Sequence, residues 1–280
     1  MDTPDELRAL RALWSLVRDG IPLFEALRIV ARQPGFGFLA GAEAQLSDGA
    51  TLTDSLPGLP PAFRPILRWG ERTGLIVEAL EHVGRWWPFP VDTRLPLYYL
   101  ARAVGSAELP RLAEEGREVF AVDHDWKKFG AELGGGATVV AASSGKPRIL
   151  PRPYDAVLAG AEASGNLAEL LLALWEGSQR GLVPYEPARD RGPALKQAFY
   201  AGSLLMTAGH PLKETLAALA ASFPQVKDLS ALRADDFVAS LEGAFTPSVR
   251  ALLRKACDCG DLSLTLRRIV EDLERGWLPL

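Results

Sequence analysis

A short pattern occurs three times in this chain, at intervals of about ninety residues, and it limits the possible folds more than any other feature. Gly70-Glu71-Arg72-Thr73-Gly74 reappears as Ala161-Glu162-Ala163-Ser164-Gly165, and in degraded form as Ala256-Cys257-Asp258-Cys259-Gly260. Each copy follows a Pro-rich loop and an apolar helical segment, and each precedes another amphipathic helix. The spacing predicts an all-α chain of three tandem helical bundles, over residues 1–88, 93–182 and 193–280.

The flanking sequence supports this. In the first copy Leu10, Leu13, Trp14 and Val17 share one face at helical spacing. Asp19-Gly20 ends that helix and Pro22 suits the first turn of the next, where a missing N–H costs nothing. The third copy repeats the order: Ala208-Gly209-His210-Pro211-Leu212 matches Asp19-Gly20-Ile21-Pro22-Leu23. The second copy is clear in its latter half only, where Ala131–Val139 matches Ala44–Leu52. Strand signals are weak. Thr138-Val139-Val140 is rich in β-branched residues, yet the repeat alignment places it on a short helix. Pro-rich junctions such as Trp87-Pro88-Phe89-Pro90 stiffen the links between modules.

Composition excludes several classes. The net charge is -4 and the pI about 5.6, which gives no basic footprint for nucleic acid or anionic lipid. No apolar run reaches the ~18–20 residues of a membrane span. The N-terminus, Met1-Asp2-Thr3-Pro4-Asp5-Glu6, lacks the basic-then-apolar form of a signal peptide. Two cysteines are too few for a disulfide framework, so the cytoplasm is the expected compartment.

No constellation of residues reads as an active site. His82, His124 and His210 stand in unrelated contexts, and Gly134-Gly135-Gly136 has no lysine placed to reach a phosphate, so it reads as an inter-helix turn. Cys257 and Cys259 have no second ligand cluster nearby. Glu71 and Glu162 have two readings. A carboxylate beside a Gly-terminated helix can ligate a hard cation such as calcium if other oxygens converge. It can equally accept hydrogen bonds from backbone amides between helices. The replacement of this Glu by Cys257 in the third copy favours the structural role. Among seven tryptophans, Trp14 and Trp175 read as core, whereas Trp86, Trp87 and Trp277 flank module ends. Trp69-Gly70-Glu71-Arg72 is the best candidate for an exposed aromatic-charged contact, and Trp69, Glu71, Arg72 and Glu162 are the candidate partner-binding residues.

Gly20-Ile21-Pro22-Leu23-Phe24-Glu25-Ala26-Leu27, then Asp48-Gly49-Ala50-Thr51-Leu52, then Gly70-Glu71-Arg72-Thr73-Gly74, resembles the F domain of type II secretion. This is the cytoplasmic module of the GspF/PilC inner-membrane platform proteins of secretion and pilus machines. The resemblance implies all-α six-helix domains, no enzymatic activity and no cofactor. It also implies protein partners, among them the assembly ATPase or other platform components. The family carries membrane helices between and after its two domains. This chain shows three modules and none of those helices, so a peripheral place at the inner membrane, through a partner, is expected. A calcium-responsive regulator using Glu71 and Glu162 is the alternative. Oligomeric state stays open.

Overall fold

The computed structural model describes residues 5–56, 59, 63–86, 95–104, 109–115, 117–120, 124–144, 150, 153–184 and 186–279. The chain is three-quarters helix, with no strand among the described residues. It begins with α1 (Asp5–Arg18), α2 (Leu23–Ala31), α3 (Ala40–Ser47), α4 (Leu52–Ser55), α5 (Arg64–Thr73) and α6 (Ile76–Trp86). Then come α7 (Leu95–Ala103), α8 (Leu109–Glu115), α9 (Arg117–Phe120), α10 (His124–Gly134), α11 (Val139–Ser143), α12 (Tyr154–Ser164) and α13 (Leu167–Gln179). The last six are α14 (Arg191–Thr207), α15 (Leu212–Ser222), α16 (Lys227–Ala231), α17 (Phe237–Ser240), α18 (Pro247–Cys259) and α19 (Leu262–Glu274).

The helix ends follow from their residues. Gly74, Gly165 and Gly260 all adopt the left-handed conformation after their helices, with φ of 77°, 77° and 68°. Glycine has no Cβ to oppose it there. The two Gly-x-Pro-Leu turns are also alike. Ile21 N–H donates to the Leu16 carbonyl at 3.0 Å, and His210 N–H to the Leu205 carbonyl at 3.0 Å. Thr138-Val139-Val140 opens α11, so the repeat outweighs local β-propensity.

The helices form two compact units, Met1–Pro96 with Ser106–Gly135, and Leu97–Gly105 with Gly136–Leu280. In the first unit α1 packs on α6 and α2, α5 packs on α6, and α4 packs on α5; α5 also packs against α8 and α9. Leu13, Leu27, Val30, Leu67 and Leu80 are fully buried there.

In the second unit α14 packs on α19 and α15, α18 packs on α19, and α17 on α18, which repeats the packing order of the first unit. Here α12 lies against both α13 and α14. Gly160 makes that approach close, since a Cβ on it would stand 2.5 Å from the Ala208 carbonyl oxygen. Tyr98 tilts against Trp175 with ring centroids 4.8 Å apart, and α7 joins this unit from Leu97 onward. α8, α9 and α10 fall in the first unit, and α7 from Leu97 onward falls in the second with α11, α12 and α13.

Candidate functional site

Glu71 lies in the last turns of α5, and its carboxylate reaches the start of α4, a helix of 4 residues. Leu52 N–H donates to Oε1. The Thr53 hydroxyl donates to Oε2 at 2.8 Å, and Thr53 N–H lies 3.4 Å from the same oxygen. Thr51 caps the helix from its other side, accepting from Asp54 N–H at 3.1 Å. The first N–H groups of a helix have no partner within it, and its dipole favours negative charge there. One carboxylate and one hydroxyl therefore satisfy the orphan amides of α4.

The second copy repeats this. Val139 N–H donates to Glu162 Oε1 at 2.5 Å, and Thr138 Oγ1 accepts from Ala141 N–H at 3.1 Å. The hydroxyls agree as well: Thr73 donates to the Trp69 carbonyl and Ser164 to the Gly160 carbonyl, both at 2.7 Å. In the third copy Cys257 supplies no carboxylate, and α17 begins without a side-chain cap. Ser240 there accepts from Arg233 N–H at 3.1 Å. The motif is a helix-capping device in two copies and has lost that role in the third. The threonines at positions 51, 53 and 138 are the partners that sequence reasoning missed; the Thr51-x-x-Asp54 spacing of a capping box was the available signal.

This geometry bears directly on calcium. Both Glu71 oxygens face N–H and O–H donors, so a cation there would have to displace them. Among the described residues no group of three or more His, Cys, Asp or Glu stands where it could hold a metal ion. Cys257 and Cys259 are free thiols, and burial, aided by Asp258, pushes the Cys257 thiol up.

The expected aromatic contact needs correction. Trp69 is 1% exposed and belongs to the core. It follows Ile66 by three residues, and α5 is packed on two sides, by α6 and by α8 with α9. The buried arc of α5 is thus wider than one stripe, and only Arg72 of the quartet is exposed. Trp175 and Trp126 are buried, whereas Trp14 is half-buried under the Arg18 guanidinium. Trp277 is 68% exposed, with Arg275 4.7 Å from its ring centroid. Trp87 and the side chains of Trp86 and His124 lie outside the described residues.

His82 is buried, and the half-buried His210 links two elements. The His210 Nε2 is 2.8 Å from the Ala156 carbonyl on α12. Beside it, Asn166 Nδ2 donates to the Thr207 carbonyl at 3.0 Å, and the Tyr200 hydroxyl donates to the Ala173 carbonyl at 2.6 Å. These bonds fasten α14 into the groove between α12 and α13.

Fold and caps together define an all-helical repeat protein whose recurring polar motif holds short helices in place. Over 91 residues, 30% of its length, the chain is 36% identical to the type II secretion system protein F of Vibrio cholerae serotype O1. The match spans 22% of that protein, about a fifth of its length. This distant, partial likeness supports membership of the GspF-domain family. No family model matches the chain. Among the described residues no helix is long and apolar enough to cross a membrane.

Proposed function

We propose that this chain is a non-catalytic docking scaffold related to the platform proteins of type II secretion and type IV pilus machines. It comprises three F-type modules, over residues 1–88, 93–182 and 193–280, and binds an assembly ATPase or another machine component. It works in the cytoplasm and reaches the inner membrane through that partner. The observation that carries the reading is the twice-built cap: the recurrent carboxylates Glu71 and Glu162 are engaged by backbone amides. The partial likeness to a secretion protein F supports the choice of partner.

Recognition in such a scaffold rests on shape and charge at helix ends and loops, with covalent chemistry playing no part. Arg72 is exposed in the last turn of α5, beside the Glu71 cap, and serves as a partner contact. The test is titration of the full chain with the assembly ATPase of its own host. Binding with Kd of about 1–100 μM is expected, weakened about tenfold by Arg72→Glu. Failure to bind either the ATPase or the cognate platform subunit sinks the reading.

A further inference from the structure

Between α18 and α19 lies an open groove of about 300 Å³. Its lining includes Lys255, Asp261, Arg268 and Asp272, together with Leu252 and Ile269. The α12–α13 pair is its counterpart one repeat earlier, and there the groove is filled. Gly165 aligns with Gly260 and Ala161 with Ala256, so Gly160, Asn166, Ala173 and Gly177 correspond to Lys255, Asp261, Arg268 and Asp272. Those four earlier residues receive α14. Gly160 meets Ala208, Asn166 holds the Thr207 carbonyl, and Ala173 and Gly177 meet Tyr200.

The element that fills the earlier groove also has a counterpart. α1 and α14 end in the same turn, which aligns Arg11, Arg18 and Asp19 with Tyr200, Thr207 and Ala208. On α14 this face is covered: Tyr200 is 2% exposed and Ala208 4%. On α1 the same positions are open. Arg11 is exposed although its Nε donates to the Gly84 carbonyl at 2.8 Å. Arg18 and Asp19 pair with each other at 3.0 Å, with side chains 49% and 60% exposed.

We infer that the α18–α19 groove of one copy receives α1 of a second copy, in the way the α12–α13 groove receives α14. The charges choose this occupant. Where the filled contact sets Ala208 on Gly160, the open one sets Asp19 against Lys255. Where it sets Thr207 against Asn166, the open one sets Arg18 against Asp261. Tyr200 beside Gly177 becomes Arg11 beside Asp272, with two like charges nearby: Arg268, and Arg275, the counterpart of Arg180, whose guanidinium lies 5.9 Å from the Tyr200 ring centroid. Three of the four changes in the groove are thus answered by three opposite charges on the helix. Such an interface is heterologous, so each pairing leaves one α1 and one groove unfilled and association grows with concentration. Exposed ion pairs are individually weak and screened, so the assembly is salt-sensitive.

The experiment is sedimentation of the full chain from about 1 to about 500 μM, in about 50 mM and about 500 mM salt. The mean mass should rise with concentration in low salt and fall back toward the monomer in high salt. Asp19→Lys and Lys255→Glu lie at exposed positions, and helical spectra check that both variants fold. Each alone should weaken association at least about tenfold. An equimolar mixture of the two should restore it, because both kinds of junction then again carry opposite charges. A monomer at every concentration would overturn the inference and show that these charges cap the ends. So would association indifferent to either reversal, or no rescue on mixing. ATPase binding is measured separately, so this outcome and that of the scaffold reading can be told apart.

Discussion

Glu71 and Glu162 put negative charge where a short helix most needs it. Hydrogen bonds to a charged acceptor contribute more than neutral ones, and removing the acceptor leaves its partners unsatisfied. Glu71→Ala is therefore expected to lower stability by about 2–3 kcal/mol, and Glu162→Ala by about 1–2 kcal/mol, in urea unfolding. Protection of the Leu52 and Val139 amides against hydrogen exchange should fall in the respective variants. A second residue sets a pH limit. Burial pushes the Tyr200 hydroxyl from 10.0 up to about 12, with Arg267 and Arg180 pulling the other way. Its contribution is fully present below pH 10, the unfolded value. Above that the unfolded chain loses its proton while the fold keeps it, so stability falls until the folded group ionises. The loss is about 1.4 kcal/mol per pH unit, about 3 kcal/mol in all. Tyr200→Phe should remove this alkaline slope, read from urea midpoints on either side of the transition, while costing about 1 kcal/mol at neutral pH for its lost bond to Ala173. The capping role of the two glutamates was legible as one of two readings, because Cys257 replaces the carboxylate in the third copy. Burial of Trp69 was not legible, since α5 packs on α8 and α9, about forty residues further along the chain, as well as on its neighbours α4 and α6.

Elements are placed here by close approaches that leave no slack. α12 meets the end of α14 through Gly160, where a Cβ would lie 2.5 Å from the Ala208 carbonyl oxygen and 2.8 Å from its Cβ. Gly160→Ala should cost about 1–3 kcal/mol by forcing the helices apart, despite the better helix propensity of alanine. Thermal melting gives the sign: propensity alone would raise the midpoint, and the clash lowers it. The threonine caps supply a parallel case, with Thr51→Ala and Thr138→Ala each expected to cost about 0.5–2 kcal/mol. Repetition made the short helices legible. Thr138-Val139-Val140 has strand-like composition, and only its alignment with Thr51-Leu52-Thr53 points to a helix. The seat of α14 was hidden, because Gly160, Asn166 and His210 are ordinary residues until the fold brings them together.

Across the whole molecule, the repeat is plain in the turns and packing order and blurred in the compact units. The Gly-x-Pro-Leu turn recurs with the same backbone bonds, yet the chain divides in two. Sequence periodicity reports which helices are alike, whereas unit boundaries depend on which faces meet, as α5 does with α8 and α9. The recurring glutamates serve structure, engaged by the amides of the short helices they cap. The most direct test is the thermal midpoint of the full chain with and without millimolar calcium, beside Glu71→Gln and Glu162→Gln. Specific binding to the folded state raises the midpoint. That structural role implies lower midpoints for both variants and no calcium shift in any of the three proteins. A calcium-dependent rise of several degrees in the wild type, lost in the variants, would contradict it and make the chain a metal-responsive regulator.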